Sequence, residues 1–399
     1  MTKKITIVTS EAFPYGMAGT NRIISMAKGF IANGVQADVV SFYKYAKPGI
    51  NILNPTTGVF EGIKFKNVFR SQTKSSCLLM RIIHEYSKPV LVFLHGMNYV
   101  GKKSVVLYYA DKTWPAIALK IVALAKRIVL LREETEHPTI RMENKTKLGK
   151  LIYLNYHYKV FDGLLVITQN LYDYFVRELN YGKPILLVPM IVDIDRFNQT
   201  KHQESQSIVF SGELDDRKEG VTTLIKAFSL ISKKYPGLML ELFGSTPDKF
   251  QESLFYQLVK DLDLEQRVIF HGYKNRVELT DALCKARLFV FSRPPSLQAQ
   301  FGFSTKLGEY LATGKPVIVS PTGEIGKYLT DGINAFICKS DPNLIAARIE
   351  EIQQNYQRAL KIGNEGRNTA LLHFNNKIES EKIIEFLRTF FNRNLPGLS

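Results

Sequence analysis

The feature that most constrains this chain is an alternation. Short β-branched and aliphatic runs recur along its whole length, and amphipathic helical stretches fill the intervals. In the first half the runs are Lys4–Thr9 (KITIVT), Ala37–Phe42, Ile63–Phe69, Lys103–Tyr108, Arg127–Leu131, Asp162–Thr168 and Pro184–Pro189. In the second they are Ile208–Ser211, Met239–Gly244, Val268–Tyr273, Leu288–Ser292 and Lys315–Ser320. Near-continuous apolar runs mark strands buried on both faces, as in parallel sheets. Helices are expected at Asn21–Asn33, Trp114–Ala125, Val221–Lys234, Phe250–Leu262, Val277–Ala286, Asn343–Gln357 and Ile378–Phe391. Such a pattern predicts doubly wound α/β architecture. A length of 399 residues exceeds one ordinary core and suits two domains, residues 1–190 and 204–377. The polar stretch Lys201–Ser207 reads as the linker.

Composition narrows the class. The chain is 45% hydrophobic and 23% charged, the balance of a globular protein. No run approaches the roughly 18 apolar residues of a spanning helix. Met1-Thr2-Lys3-Lys4 leads straight into a strand and lacks the form of a signal peptide. Cys77, Cys284 and Cys338 lie far apart, with neither disulfide nor metal-site spacing, so a cytoplasmic location is expected. The net charge of +16 suits nucleic acid, an anionic membrane surface or anionic substrates. Lys and Arg are scattered, with modest clusters at Arg141–Lys150 and Lys102-Lys103, and no nucleic-acid-binding motif accompanies them. A membrane-surface role is therefore favoured over nucleic acid, with general solubility an equal reading. Asn144–Tyr158 mixes lysines with aromatic and aliphatic residues in helical register. It suits either a face laid on anionic headgroups or a helix packed on the sheet with lysines outward.

Three stretches carry chemistry. Gln300–Gly323 (QFGFSTKLGEYLATGKPVIVSPTG) opens with a glycine-containing loop, Gln300–Phe303. Ser304-Thr305 are placed to cap a helix running through Leu311 to Gly314. Lys306 falls in the first turn and Glu309 three residues on, on the same face. A helix N-terminus favours an anion. One cation there and one carboxylate a turn deeper suit a nucleotide diphosphate, with Lys306 at phosphate and Glu309 at ribose. The plain alternative is a solvated ion pair. The second stretch, Gly212–Gly220 (GELDDRKEG), lies between a strand and a helix, where Arg217 and Lys218 suit phosphate. In the third, the strand Arg127–Leu131 delivers Arg132-Glu133-Glu134-Thr135-Glu136-His137-Pro138 at its carboxyl end, where ligands of open α/β sheets collect. Glu133 and His137 are candidates for a general base or orienter. An acidic loop paired with Arg141 or Lys145 is the alternative. No G-x-G-x-x-G follows the first strand, which weakens a nicotinamide-cofactor reading.

The segment around Lys306 resembles the signature of GT-B nucleotide-sugar glycosyltransferases of family 4, in the branch with Ser-Thr-Lys-Leu-Gly-Glu found in bacterial surface-polysaccharide transferases. Glu309 matches the second Glu of that signature; Gly314, Pro316 and Val317 match its turn and strand. The first Glu, which contacts the donor sugar in the family, falls at Phe301. Gly212, Lys218 and Gly220 match the family's diphosphate loop. Glu213 stands at its Arg position, Glu219 is inserted, and Arg217 is the candidate replacement cation. Gly16-Met17-Ala18-Gly19 resembles the family's glycine loop, or is an ordinary βα turn. Asp193-x-Asp195 looks like a metal motif but falls in the family's interdomain segment, where no metal is held.

The resemblance implies two facing Rossmann-like domains with an interdomain cleft, and a last helix returning to the first domain. It implies a retaining, metal-independent glycosyltransferase with a nucleotide-diphosphate sugar as donor and no separate cofactor. The acceptor expected is a glycan or polyprenyl-linked glycan, at the inner face of a bacterial membrane. Donor-binding candidates are Gly19, Gly212, Arg217, Lys218, Tyr273, Gly302, Phe303, Ser304, Thr305, Lys306 and Glu309; Glu133 and His137 are the catalytic candidates at the acceptor. A nucleotide-sugar 2-epimerase or a phosphorylase of the same fold, a non-catalytic nucleotide-sugar-binding protein and, last, a nucleic-acid binder are the rivals.

Overall fold

The computed structural model describes residues 4–42, 54–69, 78–101, 104–142, 146–198 and 203–394. Lys102-Lys103, Lys145, Cys77 and parts of the Arg141–Lys150 cluster and of the linker lie outside them. The chain divides into two compact units. One is built from residues up to Ile191 together with the C-terminal segment from Asn376; the other is Val192–Asn375.

The first unit is an eight-stranded sheet in the order β3-β4-β2-β1-β5-β6-β7-β8. Its strands are β1 (Lys4–Thr9), β2 (Gln36–Ser41), β3 (Thr57–Phe60), β4 (Ile63–Asn67), β5 (Val105–Tyr109), β6 (Val129–Glu134), β7 (Gly163–Val166) and β8 (Ile185–Leu187). All pairings are parallel except β3 with β4. Successive side chains of a strand face opposite ways, and the core shows it. Val105 and Leu107 join Ile24, Phe30, Ile383 and Leu387, under helix α1 (Ala18–Ala32) and the C-terminal helix Asn376–Asn394. Val106 and Tyr108 join Val92, Leu119 and Val122, under α2 (Leu78–Tyr99) and α3 (Thr113–Lys126). Gly29 lets α1 approach the C-terminal helix closely, because a Cβ there would collide with Asn376 O and Ser380 Oγ.

The second unit is a parallel six-stranded sheet in the order β11-β10-β9-β12-β13-β14. The strands are β9 (Ser207–Ser211), β10 (Met239–Phe243), β11 (Val268–Gly272), β12 (Leu288–Phe291), β13 (Val317–Val319) and β14 (Phe336–Ile337). Ile208, Phe210, Leu240 and Leu242 pack against Leu224, Ile225 and Phe228 of the helix Val221–Ser232 and Ile345 and Ile349 of Pro342–Gln354. No helix of the described residues is long and apolar enough to cross a membrane.

Several local expectations are corrected. α1 starts at Ala18, so Gly19 lies in a helix and not in the preceding loop. Gln300–Phe303 is not a simple loop: Leu297–Phe301 is a short helix capped by Ser296, and Gly302 ends it. The Gly212–Gly220 stretch holds a helical turn, Asp216–Glu219. The long helix near residue 350 breaks at Asn355, and a further helix runs from Tyr356 to His373. The lysine-rich stretch narrows to a helix at Lys147–Ile152, followed by a wider turn at Tyr153–His157.

Candidate active site

The strand order of the second unit reverses between β9 and β12. In open α/β sheets the crevice beyond the carboxyl ends of the strands at such a point is where ligands bind. Three segments meet there. After β9 the chain turns at Gly212, whose φ of 143° suits glycine. It then makes the turn Asp216–Glu219, which Asp215 caps by accepting from Arg217 N at 3.0 Å. After β12 come Ser292 and Arg293. Ser292 Oγ donates towards Glu219 O (3.3 Å) and Gly220 O (3.2 Å), and Arg293 Nε donates to Lys218 O (3.3 Å), so the two loops are latched. The third segment is the helix Thr305–Ala312. Tyr310 pins it: its hydroxyl accepts from Ser211 N at 2.7 Å, and its ring stacks on Phe289 with centroids 4.3 Å apart.

That arrangement lays Lys306 across the glycine turn. A Cβ on Gly212 would stand 2.5 Å from Lys306 Nζ. The ammonium sits 5.1 Å from the Phe210 ring centroid and 2.7 Å from Glu219 Oε1. Arg293 Nη2 lies 3.4 Å from the same oxygen. Burial, opposed by Glu219, pushes Lys306 below the usual lysine range. Glu219 Oε2 is buried and has no hydrogen-bond partner.

The Lys306–Glu309 ion pair, the plain alternative read from the sequence, does not form. Both are largely buried, and each turns to another partner. Glu309 Oε1 accepts from Arg196 Nη1 at 2.7 Å, and Arg196 also donates to Thr280 Oγ1 at 2.6 Å. Asp193 is likewise engaged, accepting from Arg276 Nη2 at 2.9 Å. Ser304 is the N-cap residue but makes no side-chain cap bond, so the first amide groups of Thr305–Ala312 are left to another acceptor. Arg217 is 83% exposed and stands 3.6 Å from Asp215, outside the cluster. Lys218 is half-exposed, 3.5 Å from Glu213. Phe303 packs on Tyr328 (5.4 Å) and Phe374 (5.6 Å). Tyr273 follows β11, whose Gly272 carbonyl accepts from Gly244 N at 2.8 Å. Arg293 was not among the sequence candidates. The signal for it was a basic residue just past the end of a central strand.

In the first unit, β6 carries charge on both faces. Arg132 and Glu134, two apart, face one way: Arg132 Nη2 donates to Glu134 Oε2 at 2.7 Å. Arg141 Nε and Tyr158 OH complete the acceptor's shell at 2.7 and 2.9 Å. Burial alone would raise Glu134, but Arg132 and Arg141 prevail and hold it below the carboxylate range. Glu133 faces α1, where Arg22 Nε donates to its Oε1 at 2.5 Å. Arg22 also donates to Pro189 O (2.9 Å) and Val188 O (3.2 Å). Burial lifts the Glu133 carboxyl above its usual range despite Arg22, and its Oε2 is buried without a hydrogen bond. His137 caps the turn Pro138–Arg141: Nδ1 accepts from Thr139 N at 3.4 Å and packs on the Tyr174 ring. Burial holds His137 below the usual histidine range against Glu178 and Glu134. Nδ1 also lies 2.6 Å from Thr139 Oγ1, and the ring's tautomer sets which of the two donates. Gly19 lies against Glu11, since a Cβ there would stand 2.8 Å from Glu11 Cδ.

Two α/β units built on parallel or mostly parallel sheets, the second with cations gathered at its switch point, are those of the GT-B fold. The whole chain superposes on solved glycosyltransferases of that fold. It resembles sucrose-phosphate synthase from Thermosynechococcus elongatus with a TM-score of 0.73 at 15% identity, covering 98% of this chain and all of that one. Anabaena HepE, solved with UDP and glucose, gives 0.70 at 17% identity, covering 97% of this chain and all of the other. Residues 192–369, a little under half of the chain, match the family Glycosyl transferases group 1. Among curated proteins, mannosylfructose-phosphate synthase of Agrobacterium fabrum is 26% identical over 228 residues, 52% of this chain and 49% of that one. The putative glycosyltransferase EpsD of Bacillus subtilis is 28% identical over 165 residues, 41% of this chain and 40% of that one. The chain spans about half or less of the length of these curated relatives.

Proposed function

We propose that the protein is a glycosyltransferase that moves a sugar from a nucleotide-diphosphate sugar to a glycan or lipid-linked acceptor, retaining and metal-independent, in bacterial surface polysaccharide synthesis. One observation carries the reading: Lys306 and Arg293 converge at the β9/β12 switch point, in the unit whose helix Thr305–Ala312 has no side-chain cap. Fixed cations and amide groups there take up the charge that develops on a departing diphosphate, which is often the largest catalytic term. Glu309, steadied by Arg196, keeps a second oxygen for ribose hydroxyls. Support comes from the relatives: HepE was solved with UDP-glucose, and EpsD is named as a glycosyltransferase.

On the first unit, Glu133 and His137 are assigned to the acceptor hydroxyl, one of them as general base or orienter. The lipid-linked part of the reading is supported by exposed Trp114, Leu148, Leu151 and Tyr156 beside Lys147, Lys150 and Lys159, an apolar and cationic surface suited to anionic headgroups. Thr113, next to Trp114, lies 3.1 Å from His157 of the lysine-rich segment.

A thermal-shift panel of nucleotide sugars, followed by turnover of the best donor with and without chelator, tests the proposal, because only a bound donor stabilises. Stabilisation by one nucleotide sugar and chelator-resistant release of its diphosphate are expected. Acceptor-independent conversion of the donor to its 2-epimer, or binding with no turnover across acceptors, would replace this reading.

A further inference from the structure

A diphosphate site calls for cations, yet Glu219 stands among them. Its carboxylate shares one oxygen between Lys306 Nζ (2.7 Å) and Arg293 Nη2 (3.4 Å), while the other is buried with no partner. The loop does not need that side chain to keep its shape. Asp215 caps the turn, Gly220 N donates to Asp216 O at 2.9 Å, and Ser292 Oγ reaches the Glu219 and Gly220 carbonyls. Every one of those bonds is made by backbone groups or by other residues. The carboxylate can therefore swing about its own torsions while the turn stays put. A buried carboxylate oxygen without a donor is costly, so the position it now holds is weakly kept. Lys306 cannot move away instead: its stem is wedged over Gly212 and the Phe210 ring, and burial already disfavours its charge. An anion arriving beside Lys306 would then share the ammonium with Glu219. Two anions a few ångströms apart in a half-dry site repel strongly.

We propose that Glu219 is an internal counter-anion that competes with the donor's diphosphate for Lys306 and Arg293, holding both cations when no diphosphate is bound and swinging off them when one arrives. This rests on the donor-site reading above and deepens it. Such a competitor sets a threshold: an anion must outbid a carboxylate already in place, so a diphosphate succeeds where singly charged anions do not. It also accounts for a buried carboxylate set between Lys306 and Arg293, which the diphosphate reading by itself leaves over.

Calorimetric titration of the full chain with UDP, and separately with inorganic pyrophosphate, tests it. Glu219→Gln keeps the shape and removes the competing charge. Its expected effect is tighter binding of both probes by about tenfold. Glu219→Asp keeps the charge but withdraws it by one methylene, and a smaller tightening is expected. It gives the same sign should the Gln variant fail to fold. A residue that merely orients Lys306 would behave oppositely, so unchanged or weaker binding in the variants, with wild-type binding intact, overturns the competitor alone. Absence of binding to either probe by wild type and variants alike overturns the donor site and the competitor together.

Discussion

Lys306→Met separates what Lys306 does for the fold from the catalytic role proposed for it. The side chain is 12% exposed and Glu219 6%, so their 2.7 Å contact is a buried ion pair. Removing one partner strands the other. Glu219 would keep only Arg293, at 3.4 Å, with Oε2 already unpartnered. Breaking a buried pair in this way costs about 3 kcal/mol. In a unit spanning Val192–Asn375 that corresponds to a melting shift of roughly 6–12 °C. Turnover should fall by about 10²-fold or more, as when one electrostatic donor is lost from a transition-state site. The double variant Lys306→Met/Glu219→Gln neutralises both partners and should recover most of the melting temperature. Under the proposed assignment it should not recover turnover, because the cation proposed to act on the departing diphosphate is still missing. The assay is melting by differential scanning fluorimetry beside release of nucleoside diphosphate from the donor the panel selects. A pH series adds a sign. Burial lowers Lys306, so wild-type donor affinity should fall as pH rises through that lowered value, before ordinary lysines titrate. Lys306→Met turning over within about threefold of wild type, or the double variant regaining full turnover, would refute the assignment of this lysine to the leaving group.

Two further outcomes follow from the first unit. Glu134 is held below the carboxylate range by Arg132 and Arg141, so its stabilisation is present above the unfolded carboxyl pKa and lost as pH falls through the lowered folded value. Arg141→Met should cost about 2 kcal/mol near neutral pH and move the acid-unfolding midpoint to higher pH, read by circular dichroism; an unmoved midpoint would show that Arg132 alone suffices. Replacing Trp114 and Leu148 by Ser should weaken co-sedimentation with phosphatidylglycerol–phosphatidylethanolamine vesicles by about tenfold or more while melting stays unchanged. Equal sedimentation would exclude this surface from lipid contact.

The strands were the most legible part of the sequence. IVFS and PVIVS are apolar over consecutive residues, and that requires burial on both faces whatever the neighbours do. The helix carrying Lys306 was legible for a similar reason, since its small and apolar positions recur at helical spacing before a glycine stop. The short helix Leu297–Phe301 and the turn Asp216–Glu219 were not, because pieces of four or five residues carry too little periodicity to separate from loop.

What the sequence determined by itself was the inventory: two alternating α/β halves and a lysine at the start of a helix that precedes a buried strand. Only the tertiary structure decided the partners. Lys306 and Glu309 are three residues apart, yet one meets Glu219 and the other Arg196, respectively 87 and 113 positions away. Arg293 joins the site because β9 and β12 are neighbours in the sheet. Helical spacing fixes which side chains share a face, but burial forces each charge to find its counter-ion wherever the packed sheet brings one within reach. That choice is made by strand order, which no local stretch of the chain encodes.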